Sequence, residues 1–150
     1  MKTIFFILSL SIFFAQNNSN GYFSISRIHY DGGGDWYSDK SSIPNLLKFV
    51  SNNTSILTEK DERVVKIGDD IFFSSSYFYM TGHGNIKLSK EELIILRQHL
   101  IDGAFLHADD NYGMDESFRK LIIEMFPEKD LIEIPPNHDL FNIYYEFPNG

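Results

Sequence analysis

The chain has 150 residues, a formal net charge of -8 and no cysteine. This length suits one domain, which buries roughly 70% of the surface its unfolded form exposes, and 43% hydrophobic with 15% aromatic residues argues against disorder. The acidic balance disfavours nucleic acid and anionic membranes as partners, because both need clustered Lys and Arg, and the lack of thiols excludes a cysteine nucleophile, a disulfide framework and a thiolate metal site.

The first residues, MKTIFFILSLSIFFAQ, place Lys2 ahead of an apolar run from Ile4 to Ala15. A bilayer span takes about 20 apolar residues, so the run matches the apolar region of a secretory signal instead. Residues 1–15 are therefore expected to be a signal peptide, 16–22 a polar joint, and 23–150 one folded domain. The mature protein is expected to be exported, periplasmic or secreted, with no stable membrane span after cleavage.

Phe23 to Tyr30 (FSISRIHY) reads as the first strand and runs into Asp31-Gly32-Gly33-Gly34-Asp35-Trp36-Tyr37, whose glycines permit positive φ and close backbone approach. Ser42 is suited to cap a helix and Pro44 to its first turn, with Ile43, Leu46, Leu47 and Val50 on one buried face as far as Asn52. A small strand is expected at Val64 to Ile67, then one helical turn at Ile71 to Phe73, then a strand from Tyr77 to Thr81 leading into Gly82-His83-Gly84. Ser89 and Glu92 form a capping box for a helix running to about Asp102, with Leu93, Leu96 and Leu100 inside. The apolar run Ala104 to Leu106 reads as a buried strand delivering His107, Asp109, Asp110, Asn111 and Tyr112 at its carboxyl end. Asp115 is a good N-cap for a helix with Phe118, Leu121, Ile122 and Met125 on its buried stripe, which Pro127 stops. Leu131 to Ile134 reads as one more strand before Pro135-Pro136.

Strands alternating with helices at this spacing imply a parallel sheet covered on both faces. The loops after Tyr30, Thr81 and Ala108 then share one edge, which gathers Asp35, Trp36, Tyr37, His83, His107, Asp109, Asp110, Asn111 and Tyr112.

The tracts RIHYDGGGDWYSDKSSIPNLLKFV, YMTGHGNIKLSKEE and GAFLHADDNYGMDESFRK resemble the bacterial family catalogued as domain of unknown function 4159, over about Phe23 to Gly150. More distantly, the order of strand, Thr-Gly, helix, Gly and a strand ending in His is similar to ThuA-like proteins and the class I glutamine amidotransferase-like, flavodoxin-like fold. The resemblance implies a three-layer α/β/α sandwich with a mostly parallel sheet. It does not carry glutaminase chemistry across, because the tract His107 to Asn111 holds no Cys, Ser or Thr. Family members usually continue past the FPNG tract, which implies a shortened member lacking the last strands of the sheet and part of its site. A His-Pro pair often follows the late strand in ThuA-like proteins; here His138 precedes Asp139.

Asp109, Asp110, His83 and His107 are the candidate catalytic residues. With Asp35 they offer the oxygen and imidazole donors that suit a divalent metal such as Zn, Mn or Mg, but carboxylates after a strand more often stabilise the turn. Without metal, one ionised carboxylate, one of raised pKa and a histidine would serve as base and acid. Asp35, Trp36, Tyr37, Asn111 and Tyr112 are the candidate ligand-binding residues, since aromatic rings beside carboxylates suit stacking on a sugar. The glycine loop matches no phosphate-binding pattern, and a tight turn that packs Trp36 over the sheet edge is favoured. His99 is expected to be solvated, His29 to be a sheet residue, and His138 to approach from the late loop. The leading expectation is binding of a small polar, carbohydrate-like ligand, with hydrolytic or acid/base turnover; the competing one is a non-catalytic structural or interaction module of a bacterial envelope protein.

Overall fold

A computed structural model describes residues 21–147, so the expected signal peptide and most of the joint lie outside the described residues. Four strands form one sheet: β1 (Ser26–Ile28), β2 (Arg63–Val65), β3 (Tyr77–His83) and β4 (Phe105–Tyr112). All three pairings are parallel and the spatial order is β2-β1-β3-β4. Parallel neighbours cannot be joined by hairpins, and the crossovers are helices α1 (Ser42–Asn53), α2 (Asp70–Phe73) and α3 (Lys90–Ile101), with α4 (Asp115–Met125) following β4.

Side-chain alternation sorts the two faces. Ile28, Phe78 and Met80 point to one face, where they pack with Phe72 of α2, Leu93 and Leu96 of α3, and Leu121 and Met125 of α4. Ile25 and Tyr79 point to the other, under Ile43 and Leu47 of α1. The fold is therefore an α/β sandwich of helix, parallel sheet and helices, and each fully buried aliphatic or aromatic side chain stabilises it by about 1.5–3 kcal/mol.

Local signals set most boundaries. The Ser89–Glu92 capping box is formed reciprocally, with the Glu92 amide donating to Ser89 Oγ (3.1 Å) and the Ser89 amide to Glu92 Oε2 (2.7 Å). Two caps differ from expectation. Ser42 is the first residue of α1 rather than its cap, and its buried Oγ has no hydrogen-bond partner among the described residues. Asp115 lies inside the first turn of α4, and the capping role falls to Asp110, which accepts from the amides of Met114 (2.8 Å) and Asp115 (3.2 Å).

Residues 131–134 form no strand and lie exposed, with Ile132 84% accessible. The four-residue run is bounded by Asp130 and Pro135-Pro136, and prolines cannot donate to a ladder. Beyond it, a short 3-10 turn (Asp139–Phe141) leads to Tyr144, whose hydroxyl donates to the Asn53 carbonyl at the end of α1 (2.6 Å). No helix among the described residues is long and apolar enough to cross a membrane.

Candidate functional site

Because the strand order reverses between β1 and β3, the loops that leave their carboxyl ends face each other. They are locked together. The Lys87 amide donates to the Asp31 carbonyl (2.6 Å), the Gly34 amide to the Asn85 carbonyl (3.0 Å), and the buried Tyr30 hydroxyl to the Thr81 carbonyl (2.9 Å). Two glycines make this approach fit. A Cβ on Gly82, whose φ is +143°, would sit 2.4 Å from Tyr30 Oη and 3.1 Å from the Asp35 backbone; one on Gly34 would meet Asn85 O at 2.8 Å. Burial, then the nearby Asp35 charge, pushes the Tyr30 hydroxyl up to about 12, so it stays a donor at neutral pH.

Across this junction Asp35 reaches His83. Its carboxylate accepts from the His83 backbone amide, and the imidazole Nδ1 lies 3.1 Å from Oδ1 and 3.0 Å from Oδ2. The backbone amide is the main reason that the Asp35 carboxyl titrates below its ordinary value, with the imidazole contact adding to it. A carboxylate at Nδ1 favours the tautomer with its proton there, which leaves Nε2 as an acceptor. The imidazole side chain is 54% accessible, so that lone pair is open to solvent.

The same loop is held from beneath by Arg27 on β1. This guanidinium is 1% exposed, pairs through Nε with Glu62 (2.8 Å), and donates through Nη1 to the carbonyls of Trp36 (3.1 Å) and Ser38 (2.9 Å). It also lies 5.4 Å from the centre of the Tyr79 ring. Trp36 stacks on His29 with ring centres 4.2 Å apart, and Tyr37 meets Trp36 edge-on.

On β4 the expected cluster divides. The strand continues to Tyr112, so neighbouring side chains alternate between faces. Asp110 turns towards α4, as its cap. Asp109 turns to the α1 face, where it accepts from the Tyr79 hydroxyl (2.7 Å); burial, and then this contact, raises the Tyr79 pKa. His107 lies further down that face, with Nδ1 3.2 Å from the Tyr77 hydroxyl. A register shift opposite Gly82/His83 leaves Asn111 unpaired, and its amide reaches across to Ser38 Oγ (3.1 Å) and the Asp39 carboxylate. Tyr112 projects into solvent. The structure therefore brings together Asp35, Trp36, His83 and Asn111, with Asp109 on the neighbouring face, while Asp110 is turned away. Among the described residues no three His, Asp or Glu side chains are grouped to hold a metal ion.

His99 is not solvated: it is half-buried against Phe72, Phe73 and Phe78, and its Nε2 lies 2.8 Å from the Ser75 carbonyl. His138 stays away from the site and accepts the Leu140 amide at the head of the 3-10 turn. Arg27 and Tyr79 were missing from the expected set. The only trace of Arg27 is a charged residue inside FSISRIHY, a pattern that reads equally well as a solvent-facing position. A groove of about 580 Å³ lined by Tyr22, Lys48, Leu57 and Lys60 lies beside α1 and the segment before β2, away from these residues.

No curated protein matches the chain. Residues 24–150, which carry the glycine loop, the His83 turn and all of β4, match the family model described as a domain of unknown function (DUF4159), and the chain belongs to that family.

Proposed function

We propose that the carboxyl edge of the sheet binds a small polar ligand, with His83 as its proton-accepting contact and Asp35 as the group that orients it. The Asp35–His83 pair across the β1/β3 junction carries this reading, because it fixes an accessible Nε2 where open parallel sheets place ligands. Tyr37 and Tyr112 on the rim supply aromatic faces that suit a sugar or polyol, and Asn111, whose NH₂ is held by Ser38 and Asp39, keeps its amide oxygen as an acceptor for a hydroxyl. Acid/base or hydrolytic turnover would use His83, since Asp110 is engaged as a helix cap. The order β2-β1-β3-β4 is in keeping with a class I glutamine amidotransferase-like ancestry without the cysteine nucleophile, and the Lys2-led apolar run with an exported location.

The test is a titration of uniformly ¹⁵N-labelled protein with simple sugars and polyols, and separately with Zn²⁺, followed at the amides and the histidine ring nitrogens. Saturable shifts at Asp35, His83 and Asn111 that disappear in His83→Ala are the expected result. Shifts scattered over the surface, or confined to the groove beside α1, would sink it.

A non-catalytic module is the second reading, and Asp110 favours it: the most suggestive carboxylate of the sequence bonds to backbone amides. It predicts no saturable small-molecule response at any of these residues.

A further inference from the structure

We propose that the ligand of this edge carries a protonated amine, and that the ammonium group is the part the site selects; the inference rests on the small-ligand reading above. The hydrogen-bonding groups around the β1/β3 junction set the direction of the contacts. Donors that flank His83 are already engaged: its own amide with the Asp35 carboxylate, the Gly34 amide with the Asn85 carbonyl, the Lys87 amide with the Asp31 carbonyl and the Gly84 amide with the Tyr112 carbonyl (3.3 Å). The Tyr79 hydroxyl donates to the Asp109 carboxylate and the Thr81 hydroxyl to the Asp109 carbonyl (2.9 Å). Acceptors remain. His83 Nε2 and the amide oxygen of Asn111 keep their lone pairs among the described residues, and the register that sets Tyr112 opposite His83 puts Asn111 at the neighbouring position. A ligand therefore has to donate.

Charge selects among donors. The Asp35 carboxyl titrates below its ordinary value and is ionised at neutral pH, while the imidazole is uncharged in the tautomer that leaves Nε2 open, so the pair carries a net negative charge. Asp39 adds another, its carboxylate accepting only the neutral Asn111 amide. Among the described residues neither carboxylate forms an ion pair with Lys or Arg, and Arg27, which holds this loop from beneath, is 1% exposed and committed to Glu62. A neutral hydroxyl would satisfy the acceptors and leave both charges uncompensated, and an anion would be repelled. An ammonium group would donate to Nε2 in a charge-assisted bond backed by Asp35. Tyr37, edge-on to Trp36 and exposed, turns a ring to solvent that suits the same cation. An amino sugar or aminopolyol joins this group to hydroxyls that fit the Asn111 oxygen.

The test is a ¹⁵N titration of the full chain at about pH 7.5 with glucamine, sorbitol and gluconate, which share one polyol skeleton and there carry a positive charge, none and a negative one. Glucamine is expected to shift Asp35, His83 and Asn111 saturably and to bind about tenfold or more tightly than sorbitol, a difference that sodium chloride erodes, while gluconate shifts none of them. Asp39→Asn keeps an acceptor for Asn111 and suits the local φ of +52°, so the fold should persist while the preference for glucamine shrinks and sorbitol binds as before. Sorbitol bound as tightly as glucamine, or gluconate bound at these residues, would overturn the amine and leave the small-ligand reading in place. So would glucamine shifts scattered over the acidic surface, or an undiminished preference in folded Asp39→Asn. No saturable response at these residues to any of the three would remove the site itself along with its charge preference.

Discussion

The two halves of the sheet's carboxyl edge are built in opposite ways. Between β1 and β3 the backbone itself is the structure: glycines let two loops touch, Tyr30 ties them from below, and Arg27 holds the Trp36 and Ser38 carbonyls in place. On β4 the backbone ladder ends in a bulge and the side chains do the joining, through Tyr79 to Asp109, Asn111 to Ser38, and Asp110 to the head of α4. A site therefore gains its rigidity from the first half and its exposed chemistry from the residues where the halves meet.

Breaking the first half has the largest expected effect. Gly82→Ala places a Cβ within 2.4 Å of Tyr30 Oη at a φ of +143°, so both clash and strain act, and a loss of at least about 4 kcal/mol in urea unfolding is expected. Gly33→Ala is the control, since its Cβ would meet nothing within 4 Å, and only the strain of its φ, about 1 kcal/mol, should register. Next comes Arg27→Met. It leaves Glu62 and three loop carbonyls without their partner, at a cost of about 3 kcal/mol. Amide hydrogen exchange in residues 35–39 should accelerate in the same variant even where the global fold survives.

This contrast also sets how much could be read from the amino acids alone. Strand and helix positions up to α4 were legible because apolar periodicity reports which face is buried, and the parallel order followed from their alternation. The meeting of Asp35 with His83 is a consequence of that topology. What local patterns could not reveal was how far β4 runs: Asp109 to Tyr112 looks like a loop, but pairing with β3 keeps it extended, and this sends Asp109 and Asp110 to opposite faces. Arg27 was hidden for a similar reason, since its burial depends on Glu62 and on a loop folding back over it. His99 was misplaced because one helix face also carries Ile95 and Leu100, and only the tertiary contact with Phe72 decides which side is covered. The run at 131–134 shows the converse, a β-prone pattern with no partner strand among the described residues.

On the β4 side the expected effects are smaller. Asp110→Ala removes one carboxylate from two amides at the start of α4 and should cost about 1–2 kcal/mol, with most of it recovered by Asp110→Asn. A much larger loss, accompanied by loss of a bound divalent ion, would show that the cap hides a metal role and would erase the distinction between the two halves.

The smallest effect on stability, and the most informative for the site, belongs to Asp35→Asn. Asp35 has a folded pKa below its ordinary value, so the native state holds its proton less tightly than the unfolded chain. Its contribution is therefore fully present above about pH 4 and is lost as the pH falls below the ordinary carboxylate range. The wild-type and Asp35→Asn stability curves should run parallel at neutral pH and converge in acid. The asparagine can still accept the His83 amide, but its NH₂ can donate to Nδ1, which moves the ring proton to Nε2. The ¹⁵N shifts of the His83 ring should report that exchange of tautomers, and any ligand response that needs Nε2 as an acceptor should vanish with it. If the ring already carries its proton on Nε2 in the wild-type protein, the loop contact is purely structural, and the meeting point of the two halves has no acceptor to offer.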